Sequence, residues 1–452
     1  MTQRNTQPLP FSSTHRRELH ADFSGGVITS DAGALLLREA DQQLGLLEAL
    51  NRVIPDPRQP DLITHPQRTL LAQRVFGIAS GYEDLNDHQH LRDDPLWQTL
   101  VDHPGTDDAP QLASPPTLCR MENRVGRPAL AAMASAFVDT FIASFETPPE
   151  HLTLDLDATD FPLHGHQEQR FFHGYYDHYC FLPLYVFCGT QLLAAYLRPS
   201  NCDAALHSRA IVKLLVGRLR QVWPNVRITL RGDSGFCRWR LMRWCDRHDV
   251  RYIFGLARNP VLERIAAPLT ATLEECHQRD GRSYRTYDVC HYGAKSWDRP
   301  RRVIIKAEYL GGTHPKTNPR YVVTNLPGEA QELYEQVYCQ RGEMENRIKE
   351  QGQLFATRTS CHAFVANQFR VLLAAAAYVL LEHVRRVGLA GTELAQAEVG
   401  TIRLKLLKIG AWVQRTARRI VVRMASSYAW PELFARVVEG LTRKRTELSP
   451  SG

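Results

Sequence analysis

The amino-acid sequence predicts a multidomain α/β protein, α+β in its overall layout, with a helical N-terminal region before a core of strands and helices. Three observations predict it. Apolar residues recur at helical spacing through most of the first 150 residues. From about residue 151, short alternating runs and apolar runs are separated by amphipathic stretches. Between about 260 and 330 the runs are strand-like and bounded by Gly, Pro and Asn, which indicates a β-rich insertion.

The N-terminal region reads as a series of helices. In GVITSDAGALLLREADQQLGLLEAL, Asp31 is the N-cap candidate before an apolar-periodic run. RTLLAQRVFGIASG and ALAAMASAFVDTFIASF show the same periodicity. In SPPTLCRMENRV, Ser114 is placed as a cap and Pro115 in the first helical turn.

The core is expected in the order β-β-β-α-β-α-β. Its predicted segments are LTLDLDAT, LPLYVF, QLLAAYL, DAALHSRAIVKLLVGRLRQVW, RITLRGDSGF, WRLMRWCDRHD and RYIFGLA. Cys-Gly-Thr between the second and third strands indicates a hairpin. In the C-terminal region, LKLLKIGAWV and RRIVVRMA fit either helix or hairpin.

Composition narrows the class of protein. The 452 residues are 44% hydrophobic and 23% charged, near globular averages, and the net charge is +7. Residues 401–452 hold eleven Lys/Arg and three Asp/Glu, a balance of +8 that accounts for the whole excess. Such a basic segment suits either nucleic acid or a solvated surface.

Cysteine usage and hydropathy indicate a reducing, non-membrane location. The ten cysteines include no CxxC pair, so no structural zinc site is indicated. The N-terminus, MTQRNTQPLP, is polar, and VLLAAAAYVLL is too short to span a bilayer. We therefore expect a cytoplasmic protein with free thiols and a buried helix near residue 375.

Three aspartates fall at chemically significant places. Asp155 and Asp157 lie on one face of the strand LTLDLDAT. A carboxylate in an apolar strand is costly unless it is paired or binds a cation. Asp233 lies where RITLRGD leaves its strand, and the carboxyl ends of strands form the usual ligand crevice of an open α/β sheet.

The stretch YCQRGEMENRIKEQ adds a helix with charge on one face. Tyr338, Arg341, Glu345 and Lys349 share that face. One interpretation is an i,i+4 ladder of salt bridges. The other is that Glu345 joins the two aspartates in holding two divalent cations about 4 Å apart. Oxygen ligands suit Mg²⁺, for which Mn²⁺ can substitute, and the Arg and Lys would then contact phosphates.

Several motifs in order resemble a known family. Tyr338-x2-Arg341-x3-Glu345 resembles the Tyr-Arg-Glu-Lys signature of bacterial insertion-sequence DDE transposases. GGVITSDAGALLL, ASPPTLCRMEN, LDLDATD followed by HGHQ, and LRGDSGF resemble the insertion-sequence 1380 group, over about residues 20 to 440. The resemblance implies a ribonuclease-H-like catalytic core with a β-rich insertion, preceded by a helical N-terminal region.

The resemblance also implies roles for particular residues. Asp157, Asp233 and Glu345 would be the catalytic, metal-binding triad. Asp157 is preferred to Asp155 because the family's first aspartate commonly precedes x-Thr, as in Asp157-Ala158-Thr159. Tyr338, Arg341 and Lys349 would contact DNA. The family's Lys position is Gly352 here, so Lys349 would have to replace it.

Two further groups are weighed. Arg231 and Arg238 bracket Asp233, either as surface charge or as contacts to substrate phosphate. HGHQEQRFFHGYYDHYC, 164–180, is either a metal site, for which no known ligand spacing is matched, or, as we chiefly interpret it, a loop with aromatic and hydrogen-bonding roles. The resemblance implies that this loop lies next to the first catalytic strand and contacts DNA. No G-x-S-x-G, Cys/His pair or Walker A motif indicates a hydrolase or an ATPase.

The resemblance implies a transposase that cuts at the terminal inverted repeats of its own element and joins the 3′-OH ends to target DNA. Double-stranded DNA, a homodimer on DNA and no nucleotide cofactor are expected, in a nucleoid-associated bacterial protein. The alternatives are a ribonuclease-H-like nuclease without strand transfer and an inactive transposase-derived DNA-binding protein.

The chain is expected to divide into five segments. They are 1–150 (DNA-end binding), 151–260 (core), 261–330 (insertion), 331–390 (core completion with the Glu helix) and 391–452 (basic).

Overall fold

The structure, a computed structural model, describes residues 8–103, 110–311 and 316–448. The predicted polar N-terminus before residue 8 and the last four residues of the basic segment lie outside the described residues. The chain divides into two compact units, one of Met1–Asn51, Asp56–Glu122 and Leu380–Gly452 and the other of Arg52–Pro55 and Asn123–Val379. The division into five segments stays a prediction.

Strands occur in both units. In the described chain they are β1 (Leu9–Thr14), β2 (Arg17–Ala21), β3 (Ile28–Thr29), β4 (His151–Ala158), β5 (Phe161–Pro162), β6 (Phe171–His173), β7 (His178–Phe181), β8 (Leu184–Cys188), β9 (Gln191–Tyr196), β10 (Arg227–Gly232), β11 (Arg251–Leu256), β12 (Tyr284–Tyr292), β13 (Arg301–Leu310), β14 (Lys316–Thr317), β15 (Arg320–Thr324), β16 (Ala411–Arg415) and β17 (Ile420–Met424).

Helices precede, connect and follow these strands. In the described chain they are α1 (Leu35–Leu44), α2 (Leu46–Val53), α3 (Gln67–Ser80), α4 (His88–Leu91), α5 (Pro95–Leu100), α6 (Pro115–Arg124), α7 (Arg127–Ala143), α8 (Ser208–Val222), α9 (Trp239–Arg247), α10 (Pro260–Asp280), α11 (Ala330–Glu332), α12 (Gly342–Gln353), α13 (Phe364–His383), α14 (Val399–Ile402) and α15 (Pro431–Leu448). Wider π-helical turns span Leu333–Tyr338, Val384–Gly388 and Arg403–Leu407, and the 3₁₀ turns are Ala32–Ala34, Pro60–Leu62, Leu85–Asp87, Ser234–Phe236 and Cys339–Arg341.

The first unit contains most of the predicted N-terminal helices and a small sheet of β3, β16 and β17, whereas α7 belongs to the second unit. The ambiguous basic stretch is therefore a hairpin, β16–β17, followed by α15. The expectation that Asp31 caps a helix is wrong: its side chain makes no capping bond. Instead the buried carboxylate accepts hydrogen bonds from the Tyr82 hydroxyl (2.7 Å) and Trp97 Nε1 (3.0 Å) and pairs with Lys408 Nζ at 2.7 Å.

The N-terminal region also contains strands that the sequence interpretation missed. β1 and β2 form an antiparallel hairpin, and every residue of both strands is exposed. β3 pairs with β16, about 380 residues later in the chain, and no local pattern indicates such a long-range pairing.

The second unit is built on one large sheet in the order β12-β13-β15-β11-β10-β4-β8-β9, with β14 paired to β13. β4, β10 and β11 are parallel, while β8 and β9 run antiparallel beside β4. The first core strand, β4, lies between the antiparallel pair β8–β9 and the parallel strands β10 and β11. This is the layout of a ribonuclease-H-like core. The predicted fold class is confirmed.

The predicted insertion continues this sheet. β15 pairs antiparallel with β11, and β13 and β12 follow outward, so the edge of the core strands is covered. The predicted β-rich stretch 261–330 begins with a helix that the sequence interpretation did not anticipate, α10, which runs for 21 residues. Asn259 caps it with bonds to the amides of Val261 and Leu262, Pro260 occupies the first turn, and Gly281 ends it at φ +75°.

The alternation of β4 divides the sheet into two faces. Leu152, Leu154 and Leu156 lie in an apolar core with residues of α7, α8, α9 and α10. The opposite face carries Asp155 and Asp157, because successive strand residues point to opposite sides. On that face Ile253 packs against Leu333 and Tyr334 of the π-helical turn.

The apolar stretch at 371–381 is the buried helix that we expected. α13 belongs to the segment 364–388, the one candidate for crossing a membrane within a single helix of the described chain, and 78% of its apolar window is buried inside the protein. The Tyr378 hydroxyl donates to the Thr190 carbonyl at 2.6 Å, and its ring packs against Phe187. The helix thus serves as part of the core.

Candidate active site at the carboxyl ends of the central strands

Two predicted aspartates end neighbouring parallel strands. Leu156 of β4 pairs in register with Gly232 of β10, so Asp157 and Asp233 follow at the same level of the sheet. Asp233 opens the 3₁₀ turn Ser234–Phe236, where its Oδ1 accepts from the Gly235 amide at 2.8 Å. The strand pairing therefore brings two carboxylates to the crevice where open α/β sheets bind ligands.

The predicted helix of YCQRGEMENRIKEQ is present but irregular. A π-helical turn ends at Tyr338, a tight 3₁₀ turn spans Cys339–Arg341, and regular α-helix begins at Gly342. Such changes of pitch re-aim side chains and are frequent at functional sites. Glu345 lies in the first turn of α12, where the helix dipole favours a carboxylate.

Arg341 joins the helix to the strand. Its Nη1 donates to Asp157 Oδ2 at 3.0 Å, and its Nη2 donates to Glu345 Oε1 at 2.9 Å. The Arg341 and Asp157 side chains are 18% and 14% exposed, whereas that of Glu345 is 54% exposed. One guanidinium thus bridges two of the three predicted catalytic carboxylates.

The carboxylates and Arg341 influence one another electrostatically. Burial raises the pKa of Asp157 to about 6; Arg341 opposes this rise, while the charges of Asp233 and Glu345 add to it. Burial alone would lower the pKa of Arg341, but the surrounding carboxylates outweigh burial and raise it. The site concentrates negative charge around one permanent cation.

Tyr338 lies beside Asp233 because a glycine makes room for it. A Cβ at Gly255 of β11 would stand 2.7 Å from the Tyr338 hydroxyl oxygen and 2.8 Å from the Ser234 amide nitrogen. Burial raises the pKa of Tyr338, with Arg341 opposing and Asp233 adding to the rise. The sequence interpretation missed Gly255, whose one local signal is a glycine inside a strand.

Asp155 and Arg231 form a separate buried pair. Arg231 Nε and Nη2 donate to the two Asp155 oxygens at 2.5 and 2.7 Å, and Nη1 donates to the Val337 carbonyl at 2.6 Å. Both were flagged from the sequence, Arg231 as a surface or phosphate-contacting residue. The structure instead buries Arg231, whose guanidinium donates to three acceptors, so Arg231 is not available to contact DNA. Asp155 is neutralised there, which leaves Asp157 at the site.

The remaining predicted contact residues lie at the surface. Arg238 donates from Nη2 to Asp203 Oδ2 at 2.6 Å, with both side chains about half exposed. Lys349 is exposed, and in the described chain it forms no ion pair with Glu345. Of the predicted series of i,i+4 salt bridges, the described chain therefore shows the first one, Arg341–Glu345.

The aromatic stretch 164–180, predicted as a loop, instead contributes β6 and most of β7 to a small sheet with β5. Tyr175 is 86% exposed, and Arg170 stacks over the Tyr179 ring with 4.6 Å between its Cζ and the centroid. Burial raises the pKa of Tyr176 to about 12, and the charges of Asp160 and Asp157 add to this. The aromatic stretch therefore lies next to the first carboxylate, and His178 pairs with Asp160 at 2.8 Å.

A divalent cation fits the donor chemistry of the site. Within residues 8–103, 110–311 and 316–448, no three His, Cys, Asp or Glu side chains stand close enough to hold a metal ion as they are placed. Two of the carboxylates, Asp157 and Glu345, nevertheless share one guanidinium, which occupies a position suited to positive charge. Asp157, Asp233 and Glu345 are the residues that would hold a metal there.

Comparison with known proteins gives one structural neighbour and one family match. Among solved structures, the chain is similar to one described as the cryo-EM structure of a piggyBac transposase synaptic complex with hairpin DNA, with 13% identity and a TM-score of 0.41, covering 94% of this chain and 83% of that one. No relative is found among curated proteins. The family model described as transposase DDE domain group 1 matches residues 11–446. Because that match covers nearly the whole chain, the protein belongs to the DDE transposase domain family, group 1.

Proposed function

We propose that this DDE transposase belongs to the insertion-sequence 1380 group, cuts at the terminal inverted repeats of its own element and joins the freed 3′-OH ends to target DNA. The observation that carries the proposal is that Arg341 bonds both Asp157 and Glu345, while Asp233 follows the neighbouring strand β10 at the level of Asp157. The family assignment supplies the reaction class.

The three carboxylates are proposed to hold Mg²⁺, with Mn²⁺ able to substitute. Bound cations supply Lewis-acid stabilisation of the attacking and leaving oxygens of a phosphodiester. Asp157 lies in β4 and Asp233 directly follows β10, whereas Glu345 is more exposed and lies in the first turn of α12. Tyr338 and Arg341 lie on the same side of the site and are placed to contact the DNA backbone.

Exposed basic and aromatic groups are the proposed DNA surface around this site. Lys349 follows Glu345 by one helical turn, and Arg238 lies five residues after Asp233. The exposed ring of Tyr175 offers a stacking surface for a base. Each of these groups can bind DNA without entering the reaction itself.

Recognition of the element ends is proposed for the first unit. That unit contains the basic C-terminal segment and most of the region 1–150, the two regions predicted for end binding, although residues 52–55 and 123–150 belong to the second unit. The β16–β17 hairpin presents Arg418 and Arg419 at its exposed turn, with Arg423 stacked 5.7 Å from the exposed Trp412 ring. Arginines on a projecting hairpin suit contacts to phosphates and to a DNA groove. A homodimer on DNA would allow two ends to be paired.

The test uses the purified full-length protein with a labelled duplex that carries the DNA flanking its gene, plus a supercoiled target plasmid. With Mg²⁺ we expect nicks at the repeat boundary and labelled DNA joined to the plasmid, and with EDTA neither product. Nicks without joined products would replace the proposal with a nuclease lacking strand transfer. Tight binding without any cleavage would replace it with a transposase-derived DNA-binding protein.

A further inference from the structure

Arg341 and Arg231 are two arginines on the same side of the sheet with different environments. Arg231 is anchored by one carboxylate and one backbone carbonyl, deep in the protein. Arg341 is held by Asp157 and Glu345, both of them residues that the proposed function assigns to metal binding. Its anchors are therefore groups that a divalent cation would also bind.

We propose that Arg341 is a latch on the metal site: its guanidinium and a divalent cation compete for Asp157 and Glu345, and a DNA phosphate opens the site by drawing the guanidinium away. The inference rests on the proposed function, because it takes these carboxylates to be the metal ligands. It also gives the binding steps an order, because DNA promotes metal binding by displacing the side chain of Arg341.

The geometry allows this exchange. The Nη1 and Nη2 atoms of Arg341 each bond one oxygen of a different carboxylate, so the guanidinium lies where a shared cation would lie. The bond to Glu345 is half exposed, and exposed ion pairs contribute little stability, so it opens easily. A phosphate offers the same planar fork two parallel hydrogen bonds.

The competition has a thermodynamic consequence. If DNA removes a competitor of the metal, DNA tightens metal binding, and the metal tightens DNA binding by the same factor. Couplings of this kind are on the order of tenfold. A substrate phosphate that itself contacts the metal also tightens binding, so affinity measured without DNA isolates the role of Arg341.

The experiment is Mn²⁺ titration of DNA-free protein, with free Mn²⁺ followed by electron paramagnetic resonance. We expect Arg341→Gln to bind Mn²⁺ about tenfold more tightly than the wild type. Arg218→Gln is the matched control, because it removes one positive charge from another carboxylate pair, with Asp139, outside the site. It is expected to bind Mn²⁺ as the wild type does.

A second arm adds a duplex carrying the element end. DNA should raise the Mn²⁺ affinity of the wild type by a factor about ten times larger than the factor for Arg341→Gln, because that variant has no guanidinium to displace. If Arg341→Gln fails to fold by circular dichroism, Arg341→Lys serves instead. Its single ammonium lacks the fork that reaches both carboxylates, so it should give a smaller rise in DNA-free affinity.

The outcomes separate this inference from the proposed function. If Asp157→Asn loses Mn²⁺ binding but neither Arg341 variant changes it, the carboxylates bind metal and the latch is refuted. If Asp157→Asn binds Mn²⁺ as tightly as the wild type, the metal site is elsewhere, and both proposals fail. If Arg218→Gln tightens binding as much as Arg341→Gln, the effect is one of net charge and the latch is again refuted.

Discussion

Neutralising Asp155 and Asp157, two residues apart on one strand, should change stability in opposite directions. The pKa of Asp157 is raised from 3.8 to about 6. A tenfold change in proton affinity is worth ~1.4 kcal/mol, so keeping this carboxylate ionised at neutral pH costs about 3 kcal/mol of folding free energy. Asp157→Asn should therefore raise the free energy of unfolding at pH 8 by up to about 3 kcal/mol.

The stability gained by Asp157→Asn should depend on pH. A carboxyl group whose folded pKa is raised stabilises the fold while it is protonated, and this contribution is lost as pH rises from about 4 through 6. The gain from Asp157→Asn should accordingly vanish at pH 4 and below, where the wild-type carboxyl group is also neutral.

Asp155→Asn should have the opposite effect: burial raises the pKa of Asp155 too, but the loss of its two hydrogen bonds to buried Arg231 outweighs the relief of that desolvation. The Asp155 side chain is 3% exposed and shares two hydrogen bonds with Arg231, itself 10% exposed. Removing one partner of a buried ion pair leaves an uncompensated charge and costs about 3–5 kcal/mol. Spread over a unit of this size, such a loss lowers the melting temperature by on the order of 10 °C.

The assay is differential scanning calorimetry in EDTA at pH 8 and pH 4, with both variants beside the wild type. The reasoning predicts a higher melting temperature for Asp157→Asn at pH 8 only, and a lower one for Asp155→Asn. Equal losses in both variants, or a gain in Asp157→Asn that persists at pH 4, would refute it.

Three further predictions address positioning and DNA contact. Gly255→Ala should lower cleavage at least about tenfold with little loss of DNA affinity, because its Cβ displaces Tyr338. Gly217→Ala is the control: its Cβ has open space around it, so the cleavage kinetics should not change. Tyr175→Ala should weaken binding to an unpaired DNA end by about 1–3 kcal/mol in fluorescence anisotropy, with Tyr175→Phe near neutral. Replacing both Arg418 and Arg419 by Gln should reduce the salt dependence of end binding by about two phosphate contacts.

The sequence predicted the core well because its signals are local. The alternation of LTLDLDAT and the Gly-bracketed turn after RITLRG define two strands and their ends, and a parallel register then brings Asp157 and Asp233 together. The helix of Glu345 follows from its charge spacing. None of these inferences requires knowledge of distant contacts.

What the sequence could not supply depends on pairing across the sheet. Asp155 and Asp157 look alike in the sequence, and only the register that sets Asp155 opposite Arg231 separates a structural carboxylate from a candidate catalytic one. α10 was missed although Asn259 and Pro260 mark its start, because Pro268 interrupts the helical pattern. Asp31 was misjudged because its partner Lys408 lies 377 residues away.

The most direct test of the central claim compares two glutamates of one helical turn. Glu343 and Glu345 are both exposed in the first turn of α12, but of the two only Glu345 bonds Arg341 and contributes to the charge around Asp157. We predict that Glu345→Gln binds the element end yet leaves it uncut in Mg²⁺, while Glu343→Gln cuts at the wild-type rate. Cleavage by Glu345→Gln at the rate of Glu343→Gln would contradict the assignment of the active site.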